Sequence, residues 1–114
     1  MRVHLEYHGA SRHMWLDLEN DSDQAVELIT LNVTAIWQGH PQELDWPVWN
    51  KKVAPHAHER FEVRHHLTAA IRKSFPDLVG DQSFELRMVP ITDPGSNATA
   101  AAFKISMRDG EISL

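Results

Sequence analysis

The chain has no cysteine. That absence excludes a disulfide framework, a thiolate zinc site, an iron–sulfur cluster and a cysteine nucleophile. Its five glycines are scattered singly, so there is no glycine-rich phosphate loop, and no Gly-x-Ser-x-Gly elbow occurs. The helical His-Glu-x-x-His zinc motif is also missing. No apolar run approaches ~18 residues, so no membrane-spanning helix is expected. The opening residues Met1-Arg2-Val3-His4-Leu5-Glu6 place charges where a secretory leader needs an apolar core. Together these absences predict a cytoplasmic protein, without cofactor and without catalytic activity.

What remains suits one domain spanning residues 1–114. Of the 114 residues, 42% are hydrophobic and 24% charged, enough for a single core. The net charge of −5 argues against general nucleic-acid binding, which favours a basic surface. The charge is uneven. Lys51 to Lys73 holds six basic residues and two acidic ones, a local +4 that leaves −9 for the rest. That stretch reads either as a solvated face of mixed charge or as a patch for an acidic partner, including another copy of the chain. Protonation of all eight histidines would carry the formal charge from −5 to +3, so solubility is expected to be lowest near the pI of 5.8.

Alternation of apolar and polar residues dominates the hydropathy pattern. Val3, Leu5 and Tyr7 mark a first strand and Met14, Leu16 and Leu18 a second, followed by a turn at Asn20-Asp21-Ser22-Asp23. Ala25–Trp37 is the longest strand candidate. Its apolar parity changes at Leu28-Ile29, which predicts a bulge or burial on both faces. Its length would also allow a helix, but its many β-branched residues favour a strand. Gln38-Gly39-His40-Pro41 reads as a turn, and Pro47 makes Leu44–Trp49 an edge strand or a loop. A turn at Pro55 leads to a strand with Phe61 and Val63 inward. Leu67, Ile71, Phe75 and Leu78 then follow helical spacing, and Pro76 limits the helix to about His66–Ser74. Further strands follow at Phe84–Met88, closed by Pro90, and at Ala101–Met107, with a turn at Thr92–Asn97 between them. Asp109-Gly110 would turn the chain into a last short strand, Glu111–Leu114. About seven strands with one short crossover helix predict an all-β, antiparallel two-sheet sandwich.

The stretches WLDLENDSDQAVELITLNV (Trp15 to Val33) and VAPHAHERFEV (Val53 to Val63) resemble the immunoglobulin-like or fibronectin type III-like sandwiches of bacterial proteins. The resemblance covers about half the chain, as a pattern rather than as identity. It implies that the first stretch forms neighbouring strands and that the second leads into the other half of the sandwich. It further implies a domain that binds or connects rather than catalyses. The cysteine pair of antibody domains is absent, and the helical segment after Arg64 departs from the strand-only pattern.

Three groups of residues could carry chemistry. His56 and His58, two apart, would share a direction on a strand, and His65-His66 follows closely, so three of the four could hold zinc or copper. The alternative is four solvated histidines beside Glu59 and Glu62. Trp46 and Trp49, with Asp45, could stack on a sugar or enter a partner's pocket, or else cover the open end of the core. Trp15 is a further candidate for an exposed aromatic, whereas Trp37 is expected in or near the core. Asn32-Val33-Thr34 and Asn97-Ala98-Thr99 match the glycosylation pattern by chance. The expected function is a non-catalytic binding or assembly module that takes a protein partner or another copy of itself. It would act through an exposed strand edge and a surface of Trp46, Trp49, Lys51, Lys52, Arg60 and Arg64. A histidine-based metal-binding protein and a carbohydrate-binding module are the alternatives.

Overall fold

The computed structural model describes residues 1–95, 100–108 and 110–114. Two antiparallel sheets share one core. The smaller contains β1 (Arg2–His8), β2 (His13–Glu19) and β6 (His58–Glu62), in the order β1-β2-β6. The larger runs β4-β3-β7-β8-β9, built from β3 (Val26–Trp37), β4 (His40–Leu44), β7 (Gln82–Asp93), β8 (Ala101–Arg108) and β9 (Glu111–Ser113). A short strand, β5 (Lys51–Val53), also pairs with β3.

Alternation decides which side chains meet between the sheets. Leu5, Met14, Leu16 and Leu18 from the small sheet are buried with Leu31, Val33, Leu86, Met88 and Ile105 from the large one. Each such aliphatic side chain contributes about 1.5–3 kcal/mol when fully removed from water. The parity change in β3 is a bulge. Leu28 pairs with Thr92 and Thr30 with Ile91, so Ile29 has no partner in the β3–β7 ladder. The extra residue returns Leu31, Val33 and Ala35 to the core face on which Val26 and Leu28 lie.

The helix α1 (Arg64–Ser74) begins two residues earlier than its periodicity predicts. The Glu62 carboxylate accepts from the Arg64 backbone N–H at 2.7 Å, which supplies a start signal from outside the helix. Eleven residues are too few for a helix that is stable alone. Burial of Leu67 and Ile71 against the sandwich supplies what propensity does not. Phe75 closes the helix by donating its N–H to the Ile71 carbonyl, and Pro76 cannot extend it.

A buried asparagine joins the turns at one end. Asn20 is 2% exposed, and its side-chain amide reaches the carbonyls of Gln24, Val53 and Ala54 at 2.8, 3.2 and 3.1 Å. Its carbonyl oxygen accepts from the N–H and hydroxyl of Ser22. The turn read at Asn20–Asp23 therefore bonds locally, as expected, and also grips the loop after β5.

Four expectations need correction. Trp15–Glu19 and the strand after it are not neighbours, because β2 and β3 lie in different sheets, and β6 lies beside β2 rather than in the other half. His40-Pro41 does not end in a turn but opens β4, where an edge position tolerates a residue without a ladder donor. Lys51–Val53 is a further strand, unannounced in the sequence because three residues are too few to show alternation. Pro90 does not close its strand. β7 continues to Asp93, where Pro90 pairs with Leu31 of β3; among the described residues the β7–β8 ladder runs from Gln82 to Met88. Part of the Thr92–Asn97 turn, Asp109 of the last turn and the second glycosylation pattern lie outside the described residues.

Candidate functional site

The segment carrying Trp46 and Trp49 runs between β4 and β5 along the β3 edge. The bulged Ile29 anchors it. The Ile29 carbonyl accepts from Trp49 N–H at 2.8 Å and from Asn50 N–H at 3.4 Å, and the Thr30 hydroxyl donates to the Pro47 carbonyl at 2.8 Å. Both indoles are half-buried against the core. Trp49 stacks on Phe61 with ring centres 4.0 Å apart and planes 4° from parallel. Trp46 meets Trp49 edge-on at 6.2 Å and packs against His66 at 4.7 Å. The pair thus seals the seam between the edge of the small sheet and the edge of the large one. The Trp46 ring N–H is buried with no hydrogen-bond partner among the described residues. The large hydrophobic side chain that the segment offers to solvent is Val48, 62% exposed.

The basic residues of this stretch fall on different faces. Lys51 lies beside Phe61 and 3.6 Å from Glu59. Lys52 is exposed on β5. Arg60 points to the outer face of the small sheet, 3.1 Å from Glu6 and over the Trp15 ring at 5.1 Å. Arg64 is 7% exposed and turns to β9, where it meets Glu111 at 2.6 Å and the Ile112 carbonyl at 3.3 Å. Lys73 donates to Asp45 at 2.9 Å. That bond, and then the ammonium charge, hold the Asp45 carboxyl below its usual range. Trp49 and Lys51 are brought together around Phe61, whereas Arg60 and Arg64 belong elsewhere.

The four histidines do not converge either. His56 is not on the strand. It sits in the preceding turn at φ +58° and bonds Asp23 at 2.8 Å, so the shared direction expected of His56 and His58 is lost. His58 opens β6 and lies between Asp17 and Glu19, each 3.1 Å away through a different ring nitrogen. His66 donates to the Asp45 carbonyl at 3.0 Å, and His65 is exposed. Among the described residues no group of three or more histidines and carboxylates is placed to hold a metal ion.

Two arrangements escaped the sequence reading. One is the outer face of the small sheet, where His4, His8, His13 and His58 alternate with Glu6, Asp17, Glu19 and Glu62 around Trp15 and Arg60. Parity points these residues outward, but only the cross-strand register makes them neighbours. The other is a cleft of about 380 Å³ where Tyr7, Arg12, Arg64 and Arg108 meet β9. Its residues come from three distant parts of the chain, the β1–β2 hairpin, the start of α1 and the β8–β9 hairpin, and share no local motif.

No protein-family model matches the chain, and no curated protein matches its sequence. Among solved structures it is similar to the crystal structure of a protein from Archaeoglobus fulgidus, at 10% identity and a TM-score of 0.41, over 93% of this chain and 92% of that one. No helix among the described residues is long and apolar enough to cross a membrane.

Proposed function

We propose that this chain is a non-catalytic binding or assembly module, an immunoglobulin-like sandwich that recruits a second copy of itself along an exposed strand edge. The observation that carries the reading is the outer edge of β8. β9 pairs only with Ser106–Arg108, which leaves Ala101–Ile105 without a neighbour on that side among the described residues. Such an edge is a template for another strand. Other edges carry proline or more polar side chains: β4 holds Pro41, β1 carries Arg2, His4, Glu6 and His8, and β6 carries His58, Arg60 and Glu62. The open part of β8 reads Ala-Ala-Phe-Lys-Ile, with one charge.

The strand order supports the sandwich. Of the seven longer strands, the first, second and fifth form one sheet and the third, sixth and seventh the other, as in immunoglobulin-type domains, although the fourth joins the second group instead of the first. The exposed Val48 beside Trp46 and Trp49, with Lys52 on the same side of β3, offers a secondary contact. A flat sugar platform gains no support, because Trp49 spends a ring face on Phe61.

Sedimentation velocity over a wide concentration range tests the proposal. Reversible dimerisation is expected, and Ala102→Lys should abolish it by adding a charge beside the edge. A strict monomer at the highest concentration, or a dimer indifferent to that substitution, overturns it.

A further inference from the structure

The structure points to a second site. We propose that the cleft between the β1–β2 turn and the β8–β9 hairpin binds an oxyanion, the phosphate or carboxylate group of a small molecule.

Three guanidinium groups line this cleft, from Arg12, Arg64 and Arg108, against one carboxylate of the described side chains, Glu111. That carboxylate already shows what the cleft accommodates. Its Oε2 lies 2.6 Å from Arg64 Nη2 and 3.8 Å from Arg12 Nη1, so one oxygen faces two guanidinium groups. The Arg64 hydrogen bond, followed by the charges of Arg64 and Arg12, holds the Glu111 carboxyl below its usual range. Glu111 cancels only one of the three cations.

The surplus is available to a ligand. Arg64 is buried and fixed by Glu111 and the Ile112 carbonyl, which makes it a rigid floor. Arg12 approaches Glu111 only at 3.8 Å, beyond hydrogen-bond reach, so its donors remain unspent. Arg108 is exposed and makes no ion pair with a described residue. Tyr7 and Ser113 line the same space and add two hydroxyls that make no hydrogen bond among the described residues. Planar, permanently charged guanidinium groups from three directions suit an oxyanion better than a point cation would. The volume of about 380 Å³ exceeds that of a bare ion and leaves room for the molecule that carries the group.

The site is distinct from the β8 edge, and its test does not depend on assembly. The ¹⁵N-labelled protein is titrated separately with inorganic phosphate and with acetate at constant ionic strength. Saturable shifts are expected at Tyr7, Arg12, Glu111 and Ile112. Tighter binding of phosphate assigns a phosphorylated ligand, and equal or tighter binding of acetate a carboxylated one. Arg12→Gly removes a guanidinium at φ +57°, where glycine is at ease, so the fold is kept. Arg12→Gly and Arg108→Ala should each weaken binding roughly tenfold. Glu111→Gln should strengthen it several-fold by removing the competing anion. Lys52→Ala, the same charge change on β5, should have no effect. The proposal is overturned by the absence of saturable shifts, by shifts that follow Lys52 and Lys104 equally, or by binding that survives the Arg12→Gly/Arg108→Ala double substitution.

Discussion

The side-chain amide of Asn20 donates to the Val53 carbonyl at 3.2 Å, across 33 positions of sequence. The same nitrogen reaches Gln24 and Ala54, so one buried group fixes the β2–β3 turn against the β5–β6 turn. Asn20→Ala strands these carbonyls and should cost about 2–4 kcal/mol in urea unfolding. Asn20→Asp should cost more, because it aims a carboxylate at three carbonyl oxygens. An aspartate variant as stable as the parent would contradict this account.

Trp46 and Trp49 should respond very differently to substitution. Trp49→Ala removes the partner of Phe61 and opens the seam, and should destabilise by about 2–3 kcal/mol. Trp46→Phe removes a buried N–H that has no partner among the described residues. Relief of that unmet donor, about 1–3 kcal/mol, should offset most of the lost indole area. The two denaturation midpoints, compared directly, check the contrast.

Acid sensitivity follows from depressed carboxyls, two of which accept a hydrogen bond from a side-chain cation. Arg64 lowers Glu111 and Lys73 lowers Asp45. A group whose folded pKa is depressed adds stability that is present above its unfolded value and lost as pH falls through the folded one. With ordinary values of 4.5 and 3.8, stability should decline from about pH 5 downward. Glu111→Gln and Asp45→Asn should each flatten the decline by lowering stability near neutrality toward its value in acid. Unfolding curves at half-unit steps from pH 6 to 3 measure it, and parallel profiles for parent and variants would refute it.

The helix should depend on the sandwich beneath it. Leu67 and Ile71 are fully buried, so Leu67→Ala or Ile71→Ala should cost about 2–5 kcal/mol. Exposed Ala69 on the same helix should accept Ser within about 0.5 kcal/mol. Equal losses at Leu67 and Ala69 would show that the helix is not held by that face.

Much of the fold is legible in the sequence because alternation and burial are the same physics. Val26, Leu28, Leu31 and Val33 announce both a strand and its bulge. The short strands escape because Lys51–Val53 has no room for a pattern and His40-Pro41 resembles a turn until β3 supplies a partner. The surface is far less legible. Arg60 and Arg64 are four residues apart, yet one lies on Trp15 and the other is buried on Glu111, because the chain passes from strand to helix between them. His56 and His58 separate for a similar reason, a left-handed residue just before the strand. Contacts between distant segments, such as those of Arg12 and Arg64 with β9, depend on topology that no local spacing encodes.

The extra residue at Ile29 also governs how this chain can be compared with other proteins. A gapless alignment of β3 with a regular strand would match one half and send Thr30, Asn32 and Thr34 into positions that belong to Leu31, Val33 and Ala35. Grafts, chimaeras and searches for distant kin must carry a one-residue insertion there. Otherwise the two halves of the strand will be assigned opposite sides of the same molecule.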